Sequence, residues 1–371
     1  MYRPRKFNFV FYMIKKILYI VNLFFVLLLL GVYVGVRVSP EFISELSLFS
    51  YIYPLLLVVN ICFCLFWLLF KWKYLFVPLA VVLVGVNFIP RFIGFNSQES
   101  DYDKEKSFSI MTFNVKSFQY KAEEDKTIAI ANKDSILSLI KTYSPDIVCL
   151  QEYSSVKKSE SSFHYVMTKN LGYEHFFAPT NSSNYVRGSV IYSKYPINRS
   201  GTLFPLKKNY YSKTYADVVL KNNKVRVYNV HLDSYRLSEE EKSEVNKIKD
   251  AELISEETSK SIFAKLIETN QEQAKEVREL KTILEQTEEK YLLVGDFNAT
   301  PYSYTYQILQ KDLKDSFVER ASGFSGTYND LLVKFRIDYI FSSQAIDFLS
   351  YEQNVYNYSD HNPVFARFEL K

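Results

Sequence analysis

Six stretches of this 371-residue chain close an apolar run on a side chain that can handle phosphate or metal. They end at Asn114, at Glu152, at His231, at Asp296 with Asn298, at Asp338, and at Asp360 with His361. In Tyr291-Leu292-Leu293-Val294-Gly295-Asp296-Phe297-Asn298, three apolar residues lead into a glycine turn that presents an acid and an amide two positions apart. In extended chain that spacing points both side chains to one side. Carboxylates, amides and imidazoles without a thiol suit a hard, oxygen-loving cation such as Mg²⁺ or Mn²⁺. Such a cation offsets phosphate charge while fixed donors meet charge as it develops. Taken singly, each stretch has a structural reading, because Gly-Asp turns close many ordinary strands and a lone histidine at a strand end is usually a packing residue. Together the six use two of only four histidines, and neither a Gly-rich phosphate loop nor a His/Cys zinc spacing competes with them.

These residues need strands to carry them. Phe108 to Val115 reads as one strand, and Asp146 to Glu152 as a buried one. Between them, Ile136, Leu137, Ile140 and Tyr143 give a helix over 127–143, which Ser144-Pro145 stops. Val186 to Ile197 reads as strand then turn, and Val225 to Leu232 as a further strand closing on His231 and Asp233. Segment 238–290 differs, with 15 acidic and 9 basic residues and no proline or glycine. Its second half carries one apolar face (Phe263, Leu266, Ile267, Ala274, Val277, Leu280, Leu284) and is expected to pack on a sheet. Its first part, 238–262, reads as a charged helical insertion with a solvated face, the other reading being a lid or partner surface beside the site. The class is α+β, with sheets at the centre.

The ordered set Asn114, Gln151-Glu152, Asn229-Val230-His231-Leu232, Gly295-Asp296-Phe297-Asn298, Arg336-Ile337-Asp338-Tyr339-Ile340 and Ser359-Asp360-His361-Asn362-Pro363 resembles the endonuclease/exonuclease/phosphatase superfamily. That group includes DNase I-like nucleases, abasic-site endonucleases, neutral sphingomyelinases and inositol-polyphosphate 5-phosphatases. The resemblance covers about 107–371. It implies a DNase I-like four-layer α/β sandwich, two mixed sheets face to face with helices outside. It also implies roles: Glu152 as principal metal ligand supported by Asn114 and Asp360, and Asp338 orienting His361 to align or activate the attacking water. Asp296 would be a second base or metal-side carboxylate, Asn298 would hold a non-bridging phosphate oxygen, and His231 would stabilise the transition state or protonate the leaving oxygen. Which of Asp296 and His361 takes the water proton stays open. Arg187 and Tyr328 lie where the family lines its substrate groove.

Composition divides the chain in two. Of 45 Lys and Arg and 41 Asp and Glu, residues 1–96 hold nine and two, leaving 36 basic and 39 acidic residues in the rest. The larger part is therefore not a basic nucleic-acid-binding surface. Three apolar runs, 17–36, 51–70 and 74–95, are each about long enough to cross a bilayer, and 97–106 reads as a polar linker to the catalytic domain. Basic residues before the first run, and Lys71 with Lys73 after the second, place both in the cytoplasm. Three crossings then leave the catalytic domain extracytoplasmic on a multi-pass membrane protein. Cys62 and Cys64 lie in an apolar run, so Cys149 is the only thiol of the larger part and no disulfide forms within it.

The expected function is metal-dependent, nuclease-like hydrolysis of a phosphodiester, held at the membrane. The alternative substrate is a phospholipid or lipid headgroup, in a sphingomyelinase-like or inositol-phosphatase-like reaction. A second alternative is a catalytically inactive, membrane-bound binding module, against which the completeness of the polar set argues. The partners implied are the lipid bilayer and a phosphate ester, nucleic acid or phospholipid headgroup. No protein partner is deducible.

Overall fold

The apolar runs that close on polar residues are the central strands of two stacked sheets. The computed structural model describes residues 5–96, 102–103, 106–119, 121, 125–204, 213–247, 253–331 and 334–371, so the linker expected at 97–106 falls mostly outside the described residues. Elements are numbered in chain order. In the first sheet β14 (Ile346–Gln353), β15 (Val364–Leu370), β2 (Ser107–Asn114), β3 (Ile147–Val156), β6 (Tyr185–Ser193) and β4 (His175–Phe177) lie side by side, with β5 (Thr180–Asn181) along β6. The second sheet runs β11 (Lys314–Asp315), β13 (Asp338–Ser342), β10 (Lys290–Asp296), β9 (Asn223–His231), β8 (Thr214–Leu220) and β7 (Ile197–Thr202).

Alternation along the strands builds the layers. Leu292 and Val294 of β10 face the first sheet and pack with Ile110, Cys149 and Ile191. Leu293, between them, faces outward with Tyr228 and Phe341. On that outer face lie α7 (Glu256–Glu285) and α8 (Tyr304–Gln310), which bury Val277, Leu280, Leu284 and Tyr306. The outer face of the first sheet carries α4 (Lys126–Tyr143) and α5 (Phe163–Tyr165) through Ile136, Ile140 and Phe163. Helices, sheet, sheet, helices: these are the four layers of the sandwich. Phe317 of the short α9 (Ser316–Arg320) closes one end of the inter-sheet core.

The charged segment departs from its expected reading. Its first helix, α6 (Glu239–Lys247), exposes Glu239, Glu240 and Lys247 but buries Glu241 and lines a cleft with Lys242 and Val245. The packing face of α7 begins at Thr269, and Phe263 stays 54% exposed. Before Thr269, α7 lies beside α6, with Ser261 and Lys265 bonded to Glu241, and Ile262 and Leu266 line the cleft instead.

Among the described residues, two helices are long and apolar enough to cross a membrane, Phe11–Gly35 within α1 (Arg5–Gly35) and Ser44–Phe70, which ends in α2 (Tyr53–Phe70). They are tied by Trp67 Nε1, which donates to Asn22 Oδ1 at 3.0 Å. The third run, 74–95, is not one helix. A 3₁₀ turn (Trp72–Tyr74) leads into α3 (Phe76–Val84), the helix breaks at Gly85, a 3₁₀ segment follows over Val86–Arg91, and Ile93–Phe95 is strand β1, paired with β12 (Ser322–Phe324). Gly85 lies so close to Tyr33 that a Cβ there would stand 1.9 Å from the phenol oxygen. Pro90 has no N–H with which to continue a helix. Arg91 is buried, donating to the Pro301 carbonyl at 3.2 Å and to Gln307 and Gln310 at 3.0 and 3.1 Å.

Candidate active site

Strand direction brings the polar ends together. β9 and β10 are parallel, so their C-terminal ends reach the same edge with His231 beside Asp296, and antiparallel β13 sets Asp338 on the other side of Asp296. In the first sheet β2 and β3 are likewise parallel, with Asn114 opposite Gln151. The β3–β6 register slips between Leu150 and Tyr153, and Glu152 takes a φ of 50° within the slip. This bulge re-aims Glu152 into the cleft at the sheet edge. β15 starts opposite Thr112, which leaves Asp360 and His361, just before it, at the same edge. Gly295 is required there: at φ 136° a Cβ would meet the Val230 carbonyl oxygen at 1.9 Å, so only glycine lets β10 lie this close to β9 before Asp296.

A buried polar clamp holds the two sheets in register at this edge. Asn229 of β9 donates from Nδ2 to the Leu150 and Val190 carbonyls at 3.1 and 3.0 Å. Its Oδ1 accepts from Gln151 Nε2 at 2.7 Å, and Gln151 also donates to Thr112 Oγ1 at 2.9 Å.

Asp296 Oδ2 is the hub. Asn114 Nδ2 donates to it at 3.0 Å and to Glu152 Oε1 at 3.1 Å. Nε2 of His231 and Nε2 of His361 stand 3.5 and 3.6 Å from the same oxygen. His361 donates from Nδ1 to Asp338 Oδ2 at 2.9 Å. Ligand atoms of Asp296, Asp338 and His361 all lie within 4.8 Å of one another. Burial raises the Asp296 carboxyl to about 7, with the Asp338 charge adding and His361 opposing. Burial works against a charge on His361, but Asp338 and then Asp296 outweigh it and hold the imidazole protonated well above its ordinary range. His231 is driven the other way, to about 3, by burial and then by the charge of His361, so it is neutral. Burial also opposes the Asp360 charge, yet His361 and Lys116, the latter 2.9 Å away, keep that carboxyl below its usual range.

Nine of the ten residues singled out in the sequence meet here: Asn114, Glu152, His231, Asp296, Asn298, Tyr328, Asp338, Asp360 and His361. The Tyr328 ring stands edge-on to His361 with centroids 5.1 Å apart. Asn298, at φ 47°, lines the cleft and donates one of its two amide hydrogens to the Leu232 carbonyl at 3.1 Å. Arg187 is the exception. It stands outside the lining of the cleft, its guanidinium 4.6 Å over the Tyr185 ring. The bulge and the loops around the cleft decide which side chains reach it, and this one faces its own strand neighbour.

The cleft above the hub has a volume of about 330 Å³. Most of its lining was not anticipated, Lys116, Tyr235 and Tyr51 included. Lys116 follows Asn114 by two positions, a signal that was available. Tyr235 donates to the Asn298 carbonyl, which Gln273 also supports at 3.0 Å. Tyr51 arrives from the segment between α1 and α2, and its hydroxyl bonds Tyr235 at 2.8 Å and Asn270 at 2.9 Å. Nothing in the sequence near Tyr51 announces that contact.

The model of the endonuclease/exonuclease/phosphatase family matches residues 111–361. The chain belongs to that family. A second model, described as a domain of unknown function, matches residues 15–92. Among solved structures, this family member is similar to the endonuclease/exonuclease/phosphatase from Bacteroides vulgatus at 20% identity, covering 71% of this chain and 99% of that one, with a TM-score of 0.49. The human Nocturnin catalytic domain with bound sulfate matches at 17% identity over 72% and 94% of the two chains (TM-score 0.48). A D. rerio TDP2 humanized by 14 mutations matches at 16% over 71% and 99% (TM-score 0.48). No curated protein matches the sequence.

Proposed function

We propose that this chain hydrolyses a phosphodiester with the help of a hard divalent cation, Mg²⁺ or Mn²⁺, at a membrane surface. The observation that carries the reading is the meeting of Asn114, Glu152, His231, Asp296, Asp338, Asp360 and His361 at one edge of both sheets, open to a cleft.

The donor set fits such a cation. At this edge Glu152, Asp296, Asp338 and Asp360 face Lys116 and one cationic imidazole, and the carboxylates outnumber the cations among the described residues. Glu152, re-aimed by the bulge, is the ligand we assign first, with Asn114 and Asp360 beside it. A cation held by these residues would offset phosphate charge and polarise the P–O bond. His361, held as a cation by Asp338, faces the developing negative charge of the transition state. His231, neutral, serves there as a hydrogen-bond donor and not as the acid for the leaving oxygen. Asp338 already occupies Nδ1 of His361, so Asp296, whose oxygen lies between the two imidazoles, is the group placed to orient the water and accept its proton.

Attachment to the bilayer is supported by where the N-terminal segments dock. The 3₁₀ turn Ser44–Ile52, ahead of α2, is tied to α7 by Asn270, which donates to Ser47 Oγ at 2.9 Å and accepts from Tyr51. Arg91, at the far end of the third run, is tied to the Pro301 loop and α8. Both segments therefore lie on the side of the catalytic domain, with Lys71 and Lys73 at the opposite end of α2. The run from Trp72 to Arg91 returns to that side despite its break, because its α and 3₁₀ turns together span about 30 Å, the thickness of a hydrocarbon core. With basic residues favouring the cytoplasm, the topology we propose has three crossings and a catalytic domain outside the cytoplasm.

The test is hydrolysis of bis(4-nitrophenyl) phosphate by the full chain in nanodiscs. Mg²⁺ or Mn²⁺ should restore the activity that a chelator removes, and should raise the melting temperature of wild type but not of Glu152→Gln. Activity that survives chelation, or a metal response unchanged in Glu152→Gln, refutes the assignment.

A further inference from the structure

The cleft is larger than a phosphate group needs, and six apolar side chains share its lining with the polar edge. Leu237, Val245 of α6, Ile262 and Leu266 of α7, and Leu331 and Phe335 of the loop before β13 line it together with Glu152, Asp296 and His361. These six side chains are half-buried, and none belongs to a hydrophobic core of the fold. An aliphatic wall left open to water beside a catalytic edge is costly unless something apolar covers it. The rest of the wall is largely polar, with Arg236, Glu239 and Lys242 among it, and Tyr51, which precedes α2 by two residues, brings the N-terminal apolar segment to the edge of the chamber. The Tyr51 hydroxyl and that of Tyr235 are both committed, to each other, to Asn270 and to the Asn298 carbonyl. Neither is left to read the polar edge of a base.

Resting on phosphodiester hydrolysis at the Glu152–His361 edge, we propose that this chamber takes the hydrocarbon chain of a bilayer-derived amphiphile, so that the diester attacked is that of a membrane lipid. The phosphate lies at the carboxylate and histidine edge, and the chain lies under α6 against Ile262, Leu266 and Phe335. Water adds to phosphorus, the ester P–O bond breaks, and the leaving alcohol carries away the proton equivalent. No redox partner or co-reactant besides water is required.

A homologous series of alkyl 4-nitrophenyl phosphodiesters, from ethyl to dodecyl, tests this on the full chain in nanodiscs, each ester below its micelle-forming concentration. Burial of one methylene corresponds to about a fourfold gain, so kcat/KM should rise by about that factor per carbon until the chamber is full and then level off. In Ile262→Asn and in Leu266→Asn the rise per carbon should flatten. A flat series in wild type, with the ethyl ester readily cleaved, overturns the chamber proposal and leaves phosphodiester hydrolysis standing. A single-stranded oligonucleotide cleaved with higher kcat/KM than the dodecyl ester also overturns it. Failure to cleave any member or the oligonucleotide overturns the underlying reading as well. Because the wild-type series is decisive by itself, a variant that does not fold does not rescue the idea.

Discussion

Replacing Asn229 by Ala tests whether the clamp between the sheets is what keeps the catalytic edge assembled. Asn229 is fully buried and makes three hydrogen bonds, at 2.7, 3.0 and 3.1 Å, that span from β9 to β3 and β6. The substitution deletes all three and leaves two carbonyls and one amide hydrogen of Gln151 short of a partner in a site closed to water. At about 1 kcal/mol for each bond, with a small cavity added, the loss is about 3–4 kcal/mol. For a domain of this size that corresponds to a fall in melting temperature of about 8 °C. Function should suffer beyond stability. His231 lies two residues after Asn229, and Glu152 directly follows Gln151, so a slackened clamp lets the two sides of the hub drift. A displacement of about 1 Å can cost two orders of magnitude in rate, and at least a tenfold loss of kcat is expected well below the melting temperature. The assay is thermal unfolding of the full chain in nanodiscs, paired with diester hydrolysis at 25 °C. A fall of less than about 2 °C with unchanged kcat would show that the sheets are held by apolar packing alone and refute the reasoning.

Asp338→Asn keeps the shape of the His361 pair but removes the charge that holds the imidazole cationic. We expect kcat to drop by about 10²–10³ with little change in KM, measured by steady-state hydrolysis in Mg²⁺. His164, buried against Tyr192 and Phe176, has its titration lowered from 6.5 to about 4 by burial and then by Lys157. Above pH 6.5 both states are neutral there, and below it the unfolded chain binds a proton that the folded one refuses. Stability should therefore fall between pH 6.5 and about 4, by up to about 1.4 kcal/mol per pH unit, and His164→Asn should show a shallower slope in pH-dependent unfolding. Tyr51→Phe removes a hydroxyl shared with Tyr235 and Asn270. It should lower the melting temperature by a few degrees (about 1 kcal/mol), and an unchanged value would show that this contact does not fasten the N-terminal segment.

Much of this protein is readable in its sequence because the signals are local. Apolar runs over β2, β3, β9 and β10, and three-to-four spacing over α4, follow from the rise and period of each element, and each strand end carries its own polar residue. The polar set, in its order, also sufficed to point to the family that the model match over 111–361 shows. Tertiary structure decided what depends on partners distant in the chain. Parallel register, not spacing, set His231 beside Asp296, and a bulge at Glu152 turned that carboxylate into the cleft. The Leu232 carbonyl fixes the orientation of the Asn298 amide, and Arg187 packs on Tyr185 outside the cleft lining. The third apolar run broke where Tyr33 allows only glycine and where Arg91 finds its partners on another domain. The roof of the cleft follows the same logic: Val245, Ile262 and Tyr51 lie far apart in sequence, and only packing makes them walls of one chamber. Periodicity reports which face of an element is apolar, and the fold alone decides what that face meets.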